Sequence, residues 1–155
     1  ESLKSYYNIN LFNEEPFLCA RCDYFEKSEK FMVSKKANLW TANAEEFLFL
    51  FYVPHLTLEI VTQCMALVAE SWPKLASIDK NHMYTYVTPV FVCDTADADA
   101  VKAVTKCHIY KSFKFSFWGW MEYHTAVVVE SDGSKKIFSN RRGTCVKKML
   151  SKVLI

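Results

Sequence analysis

The sequence predicts an α/β fold, with a central mixed sheet covered by helices on both faces. Three observations carry that prediction. Residues 47–53, FLFLFYV, form a continuous apolar run of strand length, the pattern of a strand buried on both sides. A helical pattern follows, then a second apolar strand in YTYVTPVFVC (84–93), and two strands joined through a helix run parallel. Further on, TAVVVE (125–130) and KKIFS (135–139) flank Ser-Asp-Gly-Ser, a strong hairpin signal that makes the sheet mixed.

The elements can be justified in chain order. Residues 1–16 are polar-aromatic and patternless, which predicts an N-terminal arm, and residues 17–155 read as one domain. Residues 17–25 and 29–34 have short strand-like content separated by charge and are expected to pair as a hairpin. After the 47–53 strand, Thr57 is placed to cap a helix that carries Glu59 in its first turn. Ile60, Cys64, Leu67, Val68, Trp72 and Leu75 recur at intervals of three or four and mark its buried face, with Pro73 expected to bend or end it. Beyond the second strand, Asp94 and Thr95 are expected to open a helix with Ala96, Ala100, Val101 and Val104 on one side. The C-terminal TCVKKMLSKVLI reads as a short amphipathic helix with Val146, Met149, Leu150 and Val153 inward. Strand–helix–strand–helix, then hairpin, then helix, is a thioredoxin-like layout.

Composition excludes several functions. Three glycines in 155 residues cannot build a glycine-rich phosphate cradle, so a P-loop or a dinucleotide fingerprint is ruled out. A net charge of +2 gives no argument for nucleic acid by itself. From Gly133 onward, however, seven lysines and arginines occur with no acid, Arg141, Arg142, Lys147 and Lys148 among them. They form either a solvated face or a docking surface for anionic lipid, RNA or an acidic partner. The longest apolar run ends at Pro54, far short of the ~20 residues that span a bilayer. The chain opens at Glu1 with no signal or transit sequence, so the expectation is a removed leader or a start inside a longer precursor.

Six cysteines at 19, 22, 64, 93, 107 and 145 are too scattered for a secreted disulfide scaffold. Cys19-Ala-Arg-Cys22 is a CxxC. It reads either as a redox or metal pair, lacking the second half of a structural zinc site, or as ordinary hairpin residues.

Three segments together resemble the SCO-type copper metallochaperones of cytochrome c oxidase assembly. They are FYVPHLTLEIV, then WPKLASI with YVTPVFVCDT, then YHTAVVVESDGSKKIFSNRRGT, in that order over residues 47–155. In that family a strand-to-helix corner carries a CxxxC copper loop, and a later histidine adds nitrogen to the two sulfurs. The resemblance places that histidine at His124, its preceding aspartate at Tyr123 and the two cysteines at Leu56 and Ile60. Copper is selected by soft thiolates, and leucine and isoleucine supply none. Cys64, one turn beyond Ile60, with Cys19 and Cys22, would be the donors of a relocated site with His124. Otherwise Cys64 is a packed core thiol and His124 a hydrogen-bonded structural histidine.

Between Asp94 and His124 lies YKSFKFSFWGWMEY (110–123), in which seven of fourteen residues are aromatic. Strand alternation puts Phe113, Phe115 and Phe117 on one inward face and leaves Trp118, Trp120 and Tyr123 for a partner. The resulting expectation is a non-enzymatic SCO-like subunit or assembly factor of a mitochondrial membrane-protein complex. The resemblance implies a respiratory complex at the inner membrane. No cofactor is expected, the partners are other subunits with anionic lipid contact, and nucleic acid is disfavoured. The alternatives are a copper or thiol-redox protein with relocated ligands, and a basic RNA- or lipid-contacting module such as a mitoribosomal protein.

Overall fold

A computed structural model describes residues 7–13, 16–31, 38–131 and 133–154. Among these, eight strands form a single mixed sheet and three helices pack on it. Strand β1 (Asn8–Leu11) lies antiparallel on β2 (Leu18–Phe31), and β2 lies antiparallel on the 19-residue β3 (Asn38–Leu56). Helix α1 (Leu58–Leu75) then leads to β4 (His82–Ala96), which runs parallel to β3.

Beyond β4 come α2 (Ala98–Lys106), β5 (Tyr110–Ser112), β6 (Trp120–Tyr123), β7 (Ala126–Ser131), β8 (Ser134–Ser139) and α3 (Thr144–Val153). The far edge of β4 is shared by two strands. Tyr84–Val87 pair with β6 and Val90–Cys93 with β7, both parallel. Strands β6 and β7 are thus two halves of one line, broken at His124 and Thr125, and β5 and β8 lie antiparallel outside them.

The FLFLFYV run serves both faces, which is why it reads as unbroken hydrocarbon. Phe47, Phe49, Phe51 and Val53 pack with Val87, Phe91 and Val127 beneath Val61, Cys64, Val68 and Trp72 of α1 and Ala100 and Val104 of α2. On the other side Leu48, Val90, Ala126 and Val128 meet Val146 and Leu150 of α3.

Several boundaries differ from expectation for physical reasons. The patternless arm contains β1, whose partner is β2, so its order comes from pairing rather than from an apolar pattern. The expected 17–25/29–34 hairpin is instead one long strand, because β3 offers a partner along its whole length; residues 32–34 lie outside the described residues. Helix α1 continues through Pro73 to Leu75. Proline removes a bond to Ala69, and both residues face solvent, where water can replace it. Asp94, Thr95 and Ala96 belong to β4, and α2 begins after its N-cap Asp97, because Thr95 and Ala96 still pair with His55 and Leu56. Val153 is exposed rather than inward, at the end of a helix whose buried contacts finish with Leu150.

Candidate functional site

Residues 113–119 join β5 to β6 and form the most unusual backbone among the described residues. Lys114, Phe115 and Ser116 have φ of 48°, 54° and 69°, three consecutive left-handed residues that each cost about 1–2 kcal/mol without a glycine's freedom. The turn is closed by Phe113 N–H to Gly119 O at 3.0 Å, Trp118 N–H to Phe113 O at 3.2 Å and Phe117 N–H to Lys114 O at 3.1 Å. His82 Nδ1 donates to Trp118 O at 2.6 Å, since a carbonyl only accepts. Gly119, at φ +70°, leaves no room for a side chain: a Cβ there would lie 2.0 Å from Met83 O.

This frame holds two phenylalanines in water, Phe115 at 97% and Phe117 at 83% exposure. Lys111 lies over the Phe113 ring at 5.7 Å and Lys114 over Trp118 at 5.3 Å. The roles expected within 110–123 are therefore exchanged. The chain leaves the strand after Ser112, so alternation stops and Phe115 and Phe117 turn outward. Tyr123 is 2% exposed in the core, while Trp118 and Trp120 are half-buried, Trp120 tilted against Tyr84 at 6.0 Å.

The second feature lies where β6 gives way to β7. Asn140, buried, uses its full amide capacity there. Its Nδ2 donates to Cys107 O at 3.0 Å and Tyr123 O at 2.9 Å, and its Oδ1 accepts from Thr125 N–H at 3.2 Å and Gly143 N–H at 2.7 Å. A Cβ on Gly143 would sit 2.7 Å from that Oδ1, so the close approach requires glycine. The knot fixes the start of α3 over His124. Cys145 Sγ lies 3.8 Å from His124 Nδ1, and His124 Nε2 lies 3.1 Å from Glu122 Oε1. Arg142 Nε is 3.6 Å from the other Glu122 oxygen, and the imidazole lies tilted against Tyr86 with centroids 4.2 Å apart.

The electrostatics follow from this order. Burial by itself would lower the basicity of His124, but its bonds to Cys145 and Glu122 outweigh that and raise its pKa. The bond from His124 lowers the Cys145 pKa against the opposing cost of burial, helped by the Val146 N–H. Burial pushes the thiols of Cys64 and Cys93 up to about 11.

The remaining predicted site residues are dispersed. Leu56 is fully buried in the core and Ile60 packs at its edge. His55, the histidine beside that corner in FYVPHLTLEIV, is exposed, with Nδ1 2.7 Å from Thr95 Oγ1 and Nε2 3.1 Å from Asp97 Oδ1. The relocated donor set does not assemble: Cys64 packs under α1 on one face of the sheet, whereas His124 meets α3 on the other. Cys22 is buried beneath α3 and Cys19 is exposed beside Phe17, at the register shift between Leu18 and Ala20, so the two cysteines of the CxxC stand in different environments. Among the described residues no group of three or more acidic, histidine or cysteine side chains could hold a metal. Cys145 and Glu122 sit on opposite nitrogens of His124 and do not converge on one point.

Arg141, Arg142, Lys147 and Lys148 are all exposed. The two arginines line an open cleft of about 660 Å³ with Thr105, Lys106, Cys107 and His108, and the lysines border a shallower groove along α3. Cys145 is the residue that sequence reasoning missed. The signal was present in Arg-Arg-Gly-Thr-Cys, a thiol two residues after the glycine that opens an amphipathic helix.

Fold and site together define a mixed α/β domain with a strained aromatic finger and a thiol–imidazole corner. The chain belongs to the family described as a domain of unknown function, DUF8052, whose model matches residues 1–152. No curated protein and no solved structure matches it. No helix among the described residues is long and apolar enough to cross a membrane.

Proposed function

We propose that this domain is a peripheral docking module that engages an anionic membrane surface through the β5–β6 finger. One observation carries the reading: Phe115 and Phe117 stand almost fully exposed on a turn held in a costly left-handed conformation. Strain of that kind persists only where the surrounding structure over-determines it, and it concentrates at functional sites. Two phenylalanines entering the headgroup–acyl boundary contribute about 1.5–3 kcal/mol each. Lys111 and Lys114 add about 1 kcal/mol apiece near anionic headgroups. A standard protein interface buries about 800 Å² per partner, more than two aromatic side chains supply, and this favours lipid over protein as the occupant. No acid occurs between Asp99 and Glu122 to oppose the attraction.

The test is sedimentation with phosphatidylserine-containing vesicles against pure phosphatidylcholine vesicles. The expected result is retention on the anionic vesicles, lost in a Phe115→Ser/Phe117→Ser variant of unchanged melting temperature. Equal behaviour of wild type and variant on both vesicles overturns the reading. If the variant instead loses a co-purifying protein, the finger's occupant is a protein pocket.

The finer reading, a degenerate SCO-like, thioredoxin-like subunit of a mitochondrial respiratory complex, rests on the sequence resemblance. In its favour is the corner at His55, filled with the hydrocarbon of Leu56 and Ile60. Against it is strand order. The free flank of β3 is taken by antiparallel β2, and β3, β4 and β7 lie side by side in parallel, so the element order is kept while the order of strands in the sheet departs from it. Stoichiometric, tight copper binding by the reduced protein, abolished by His124→Ala, would restore the metal-carrying alternative.

A further inference from the structure

Membrane docking leaves the Cys145 corner unused, and the geometry there points to chemistry of its own. We propose that Cys145 is a thiol–disulfide exchange site for low-molecular-weight disulfides that carry negative charge. Among the described residues, no other cysteine combines exposure with an imidazole partner and the first turn of a helix. The imidazole is fixed on its far side by Glu122 and on its face by Tyr86, so Nδ1 is held toward the sulfur.

Helix α3 also differs from its two neighbours in how it begins. Helix α1 has the Thr57 cap and Glu59, and α2, without a side-chain cap bond, has the acids Asp97 at its N-cap and Asp99 in its first turn, whereas α3 starts at Gly143 with neither a side-chain cap nor an acid. Its N–H groups and the positive end of its dipole are left to act on the thiolate of Cys145.

Every charged group that faces the sulfur has a source in the fold. The β6–β7 junction supplies His124 and β3 supplies Glu46, while Tyr86 of β4 is a neutral neighbour and Glu122 of β6 acts from the far side of the imidazole. Outside this set the near sequence is cationic: Arg141 and Arg142 precede the thiol, and Lys147 and Lys148 follow it, all exposed. They favour an anionic disulfide over a neutral or cationic one.

The exchange step balances without any further reactant. Thiolate Sγ attacks one sulfur of the incoming disulfide, a new S–S bond forms to Cys145, and the old S–S bond breaks. The departing thiolate takes the proton held by His124 Nδ1. Cys145 is oxidised, the disulfide is reduced, and attack by another thiol on the mixed disulfide reverses the step.

Cys19, also exposed but without an imidazole, is an internal reference. The reduced full chain is treated at pH 6 with glutathione disulfide (anionic), bis(2-hydroxyethyl) disulfide (neutral) or cystamine (cationic), and modification is read by peptide mass mapping. Because exchange depends on the thiolate fraction, Cys145 is expected to react about tenfold or more faster than Cys19 with the anionic probe. The order should be anionic, then neutral, then cationic. His124→Gln should remove the lead of Cys145 over Cys19 at pH 6. Glu122→Gln, which leaves the ring in place, should reduce that lead and serves as the test if the first variant does not fold. Arg141→Ser/Lys147→Ser/Lys148→Ser should abolish the charge preference, read as the ratio of the anionic-probe rate to the neutral-probe rate. A Cys145 no faster than Cys19 with all three probes, or a lead untouched by both His124→Gln and Glu122→Gln, overturns the exchange site. A lead independent of probe charge overturns the anionic substrate class.

Discussion

Two corners of this molecule, each a strand running into a helix beside a histidine, have opposite chemistry. At the β3–α1 corner His55 points into solvent between Thr95 and Asp97, and the helix start is occupied by a Thr57 cap, Glu59 and buried Leu56. At the β8–α3 corner the histidine is buried, the cap is a bare glycine and a thiol stands two residues beyond it. The comparison teaches that a helix N-terminus becomes reactive through what is left uncapped. An oxygen cap or an acid already satisfies the field that a thiolate would otherwise use.

The largest expected effects come from removing what builds the second corner and its neighbouring finger. Asn140→Ala leaves several buried backbone groups without partners and should cost about 3 kcal/mol in urea-induced unfolding. Gly119→Ala combines a left-handed φ with a collision against Met83 O, and it should lower stability by about as much. At Gly133 only the left-handed conformation opposes alanine, nothing lying within 4 Å of a Cβ, and the loss should be about 1–2 kcal/mol. Thr57→Ala at the capped corner should cost about 1 kcal/mol.

A pH series sharpens the contrast between the corners. Because the folded pKa of His124 is raised, its protonation stabilises the native state fully below the unfolded value of about 6.5. That contribution fades as pH climbs through the raised folded value. The lowered Cys145 pKa acts in the other direction, stabilising above the unfolded thiol value and fading as pH falls through the folded one. In a Cys145→Ser background, where the opposing thiol contribution is absent, the stability difference made by His124→Gln should therefore shrink between about pH 6.5 and the alkaline side. His55→Ala, on an exposed ring, should shift stability least of all, by no more than about 0.5 kcal/mol, measured by urea unfolding.

What could be read from the sequence was what lies in local patterns. FLFLFYV, the Cys64–Val68–Trp72 stripe and the Ser-Asp-Gly-Ser turn each announce their elements, because burial and turn geometry act over a few residues. Strand β2 did not, since LCARCDYFEKSEKF takes its extension from β3 rather than from its own alternation. The thiol corner was illegible for a related reason. Cys145 and His124 are brought together by Asn140, whose four side-chain hydrogen bonds join segments with no sequence pattern in common. The finger was misread because strand alternation was carried past Ser112, where the left-handed turn begins.

The break between β6 and β7 has a bearing on how the molecule avoids sticking to copies of itself. Had the two been one strand, the hairpin partner outside it would have offered a long unpaired rim for edge-to-edge association. Instead that rim is divided into β5, three residues, and β8, six residues that include Lys135 and Lys136. At the opposite rim, among the described residues, β1 pairs with Ala20–Asp23, and the remainder of β2 beyond it reads YFEKSEKF, four charges in eight residues. The same interruption that seats His124 thus also shortens the edge that the sheet presents on that side.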